Sequence, residues 1–133
     1  MKSRLLLPTF FLSCIILSLH VFALKFFFYW TIWWFDILVH TFGGILVSWI
    51  SISLFEKFKL SNMKTVFVSG ILVPLLISVG WEIFEYVSGV TFFSSRYALD
   101  TILDISSGTL GGIIGATLSI YFFRNFLTQE YYG

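Results

Sequence analysis

Apolar stretches near or above the roughly 20 residues that span a bilayer recur along this 133-residue chain, and no other feature constrains its fold as much. A soluble domain of this size has too little interior to hide them. Composition agrees: 58% of the residues are hydrophobic, 21% aromatic and 11% charged, where an ordinary soluble domain carries about 25% charge. The expected fold is an all-α membrane protein, a bundle of about four transmembrane helices that forms one domain over residues 1–133.

The helices are expected at about 5–23, 34–55, 65–89 and 100–123. The first lies behind Lys2 and Arg4, with Pro8 in its first turn, where a helix tolerates proline. It also has features of a signal peptide, with Val21 and Ala23 loosely suiting a cleavage site, and is kept as a helix. The run Phe26 to Phe35, FFFYWTIWWF, reads as an interfacial aromatic belt. After the second helix comes a polar turn containing Glu56, Lys57, Lys59 and Lys64, in which Ser61 or Asn62 can cap the third. Pro74 should kink that third helix by removing the bond to the Gly70 carbonyl. A second short loop covers Val90 to Tyr97.

The net charge of +1, without a basic run, excludes nucleic acid as a partner. Cys14 is the only cysteine, so an intramolecular disulfide and a CxxC metal pair are both excluded. Four spans put Lys2, Arg4, Lys57, Lys59, Lys64 and Arg124 on one side and only Lys25 and Arg96 on the other. The positive-inside rule then places both termini in the cytoplasm.

The chemistry lies in six ionisable residues within or beside the apolar helices: Asp36 and His40, Glu82 and Glu85, Asp100 and Asp104. Each pair is spaced i, i+3 or i, i+4 and so shares one helix face. Threading fixes their depth. Asp36 and Asp100 enter with their helices from outside, while Glu82 stands 17 residues beyond Thr65, about 25 Å along an axis that begins inside. All six should meet on the outer side. Small residues share the same faces: Gly108, Gly111 and Gly115 below Asp104; Gly43, Gly44, Val47 and Ser51 below His40; Ser78 below Glu82. Five carboxylates at close quarters need neutralising, by a divalent cation (Mg²⁺, Mn²⁺, Ca²⁺, or with His40 Zn²⁺ or Fe²⁺), by shared protons, or by Arg96.

Plainer readings stand beside these. Asp100 can be an N-cap, Asp36 a residue at the water interface, His20 a packed or interfacial histidine and Trp81 an anchor, and the whole set can be a polar network that locks the helices.

The order Asp36-x3-His40, Trp81-Glu82-x2-Glu85, Arg96-x3-Asp100-x3-Asp104, then Gly108 and Gly112, resembles that of the VanZ-like and YjdF-like small bacterial membrane proteins over residues 36 to 115. Glu85 stands where VanZ-like proteins carry Gln and Asp104 where they carry Asn, nearer the YjdF-like pattern. The resemblance implies a bacterial cytoplasmic-membrane protein with a cell-envelope role, and no defined reaction.

The residues together suggest a metal-dependent membrane enzyme acting on an envelope lipid or lipid-linked phosphate. Asp36, His40, Glu82, Glu85 and Asp104 are the expected metal ligands, with Glu82, Glu85 and Asp104 also as acid–base groups and Arg96 and Asp100 near the phosphate. A proton- or cation-coupled transporter, or a subunit of one, is the first alternative; a structural or regulatory helper of a membrane complex is the second. A homo-oligomer is compatible with either. A transport path should cross the membrane, yet the inner halves of the helices offer little polarity beyond Ser48, Ser51 and Ser69.

Topology can be checked directly. Reporter fusions at Lys57 and Tyr132 should report cytoplasm and one at Arg96 the outer side; an external Lys57 would reverse the orientation and carry the acids to the inner leaflet.

Overall fold

The computed structural model describes residues 5–58, 62–89 and 97–127, with side chains of the last helix as far as Tyr121. Its order is α1 (Leu6–Phe26), α2 (Phe28–Thr31), α3 (Phe35–Lys57), α4 (Met63–Ser88) and α5 (Tyr97–Leu127). Four of these, all but α2, are long and apolar enough to cross a membrane. In the bilayer a helix satisfies its own backbone, so the large apolar side chains left on the outside, such as Leu17, Leu76 and Ile102, face lipid without cost.

The helix ends follow local chemistry. Asn62 caps α4, its Oδ1 accepting from the Thr65 backbone N–H at 2.8 Å and the Thr65 hydroxyl at 2.9 Å. Gly89 ends the same helix at φ 65°, a left-handed position that glycine adopts freely. α1 ends on Phe27, also left-handed at φ 58°, whose N–H bonds to the Ala23 carbonyl. A bulky residue there carries strain. This turn splits the aromatic belt: α1 runs to Phe26, beyond the expected Ala23, and Phe28–Thr31 forms the separate short helix α2.

α3, α4 and α5 pack mutually, and α1 leans on α3 alone among the long helices. The tightest seams are made by glycines on α5. A Cβ on Gly111 would strike the Thr41 carbonyl of α3, one on Gly112 would strike Pro74 and the Gly70 carbonyl of α4, and one on Gly108 would strike Ser78. Gly44 of α3 lies against the Gly108 carbonyl in the same way. Gly43, expected on this seam, has open space beside it, because one residue turns a helix by about 100° and only Gly44 points at α5. Pro74 is fully buried inside a continuous α4. The Gly70 carbonyl that its ring deprives of a donor faces Gly112, within reach of a Cα–H contact. Trp49 adds a cross-helix bond, its indole N–H donating to the Gly115 carbonyl at 3.0 Å.

Charge is confined to one end of this core. The acids occupy that end, Ser48, Ser78 and Ser107 are buried beyond them, and further along the buried Ser51, Ser53, Ser69 and Ser119 interleave with an apolar cluster of Leu5, Ile52, Val66 and Ala116.

Because Gly112 meets backbone and a proline ring, Gly112→Leu should destabilise the protein by several kcal/mol, beyond the ~1–3 kcal/mol of ordinary overpacking. Ile114→Leu, at an exposed position, should be nearly neutral. Thermal unfolding in detergent compares the two, and equal stability would refute the seam.

Candidate functional site

The first turns of α3 carry Asp36 and His40 on one face, and the glycine seam brings α5 close enough for Asp104 to meet them. His40 Nε2 lies 3.5 Å from Asp36 Oδ1 and 3.8 Å from Asp104 Oδ1. One ligand atom from each of the three residues fits within 4.8 Å of the others. Donors about 2.1 Å from a tetrahedral ion stand roughly 3.4 Å apart, so modest side-chain adjustment would suit a metal. Asp104 is 4% exposed, whereas Asp36 faces partly outward.

The other expected residues gather around this triad without joining it. Glu82 points into the bundle from α4 and is 7% exposed. Glu85, one turn on, stays at the rim and accepts a hydrogen bond from the Trp81 indole at 2.7 Å. Asp100 is exposed in the first turn of α5; the helix begins at Tyr97, so Asp100 is not its N-cap. Asp104 is within electrostatic reach of Asp36, Asp100, Glu82 and Glu85. Among the described residues no lysine or arginine pairs with these acids. Arg96 lies outside the described residues.

Tyr29, on α2, lies at the same end, as the aromatic belt implies, but is not among the expected site residues. Its hydroxyl lies 2.8 Å from His20 Nδ1, and its ring meets Phe35 edge-on at 5.3 Å. His20 is therefore a hydrogen-bonded histidine of the α1–α2 junction and no part of the triad. Burial, and then the charges of Asp36 and Glu85, push the Tyr29 hydroxyl up to about 12. No periodicity could have found it, since a run of aromatics looks apolar on every face; its phenol tip was the single clue.

Four membrane-length helices with an Asp–His–Asp cluster at one end of their shared core define a small multi-pass membrane protein with a candidate metal centre. The chain belongs to the family described as "Predicted membrane protein (DUF2238)", which matches residues 2–125. That match gives the membrane class and assigns the chain neither to the VanZ-like nor to the YjdF-like proteins. No curated protein and no solved structure matches it.

Tyr29 offers a spectroscopic check. A phenol whose folded pKa exceeds its unfolded value of about 10 adds stability below pH 10, and that contribution is lost as pH rises toward 12. The difference between wild-type and Tyr29→Phe tyrosinate absorbance should therefore titrate near 12 in folded protein and near 10 in denaturant; a folded midpoint at 10 would remove Tyr29 from the acid end.

Proposed function

We propose that this protein is a metal-dependent enzyme of the bacterial cytoplasmic membrane that acts on an envelope lipid at its headgroup. The observation carrying this is the Asp36–His40–Asp104 triad. Two carboxylates and a neutral imidazole carry two negative charges, which one divalent cation offsets where water cannot. Mg²⁺, Mn²⁺ and Ca²⁺ suit the oxygens, and His40 also admits Zn²⁺ or Fe²⁺.

The surroundings favour a substrate at headgroup level. Trp30, Trp33, Trp34 and Trp81 are all exposed at this end, as tryptophans at a membrane–water interface are. Asp36, Glu85 and Asp100 open outward between them. A metal held here would polarise phosphate oxygens. Arg96, next in sequence to the start of α5, carries the planar fork that suits a phosphate. Glu85, at the rim, then serves as an acid–base group beside it. The transporter reading needs a path to both sides, and the buried side chains described in the opposite half of the core include hydroxyls but no ionisable group.

The test is metal analysis of purified protein, followed by phosphate release from a short-chain lipid phosphate with and without the metal found. Wild type should bind a divalent ion and unfold at higher temperature in its presence. Asp36→Asn, His40→Ala and Asp104→Asn should each weaken binding by at least about tenfold, a direction set by losing a ligand. Metal-free protein with no thermal shift from Mg²⁺, Mn²⁺, Ca²⁺, Zn²⁺ or Fe²⁺ would end this reading and leave a proton relay or a structural network.

A further inference from the structure

Glu82 is the residue that the triad does not account for. Its side chain is 7% exposed, and its Oε1 is sealed from solvent without a hydrogen-bond partner. Across the α4–α5 seam, Thr101 Oγ1 is likewise sealed and unpartnered. The two groups are neighbours but do not meet in hydrogen-bond geometry. Thr101 and Asp104, at i and i+3, share one face of α5, and Glu82 lies within electrostatic reach of Asp104. Buried polar atoms are nearly always paired, and an unpaired charge in the interior is among the costliest features a fold can hold. One dication at the triad offsets Asp36 and Asp104 and leaves Glu82 without a counterion, because no lysine or arginine among the described residues pairs with it.

We infer that α4 and α5 hold a second cation beside the triad, bound by Glu82 and the Thr101 hydroxyl, with the Asp104 carboxylate shared between the two ions. A carboxylate has two oxygens and can bridge. The donors at the second position are all oxygen, so its ligand is a hard cation, Mg²⁺, Mn²⁺ or Ca²⁺, whereas the His40 position accepts softer ions too. Two ions sharing a carboxylate form the type of centre that clamps both the attacking and the leaving oxygen of a phosphoryl group. This inference rests on the triad being a metal site.

Mn²⁺ is the probe, because its spectrum reports both stoichiometry and proximity. Full-length protein in detergent, stripped with chelator and titrated with Mn²⁺, should take up two ions per chain and give a spin-coupled electron paramagnetic resonance signal. Glu82→Gln should bind one ion with an uncoupled spectrum. Thr101→Val, which keeps every charge and nearly the same shape, should weaken uptake of the second ion and reduce the coupled signal even if Glu82→Gln fails to fold. One uncoupled ion in wild type, unchanged in both variants, would overturn the second position while the triad stands; no bound ion in wild type would overturn both.

Discussion

Backbone-to-backbone contact along α5 is the constraint on which the rest of this molecule depends. Lipid offers helices no hydrophobic reason to associate, so they are held by close packing, and packing is closest where side chains are missing. Gly108, Gly111 and Gly112 let α5 press against the carbonyl face of α3 and the Pro74 turn of α4. Asp104 lies one turn above Gly108 on the same stripe. The contact that seals the bundle therefore also carries Asp104 to within 3.8 Å of His40. Helix packing and site geometry are one arrangement, and neither can be varied without the other.

Charge enters this core only at one end. Ionisable groups inside a membrane are costly, and here they sit beside the exposed tryptophans, where water and headgroups are near. Further along, the buried polar groups are hydroxyls, some of which bond back to their own helix, as Ser119 does to the Gly115 carbonyl and Ser107 to the Asp104 carbonyl. Such bonds satisfy a hydroxyl within its own helix, whereas Ser51 also reaches the Ser69 carbonyl across the α3–α4 seam at 3.5 Å and the buried Ser48 and Ser69 hydroxyls have no partner.

Much of this was legible from residue spacing. Apolar length gave the four spans, and pairs at i, i+3 and i, i+4, threaded alternately through a bilayer, brought Asp36, His40, Glu82, Asp100 and Asp104 to one end. Spacing cannot say which of several side chains on a face touches its neighbour, because that depends on crossing angle and rotamer. Hence three of the six residues form the triad while Glu85 turns to Trp81 at the rim, and Gly44 makes the contact expected of Gly43 as well. The α1–α2 junction was hidden for a different reason. It turns on a left-handed phenylalanine, a conformation that sequence patterns assign to glycine or asparagine, so nothing in FFFYWTIWWF announced that Tyr29 would fold back to His20.

The distribution of charge in the core bears on what the bundle can hold as well as on its fold. The ionisable groups gather at the end where Asp36, His40, Glu82 and Asp104 stand, and the side chains buried beyond them are hydroxyls and apolar groups such as Ile52, Val66 and Ala116. A cation moving inward from the acids would exchange charged ligands for neutral ones within a few turns of helix, so the core retains charge at its mouth and offers none further along.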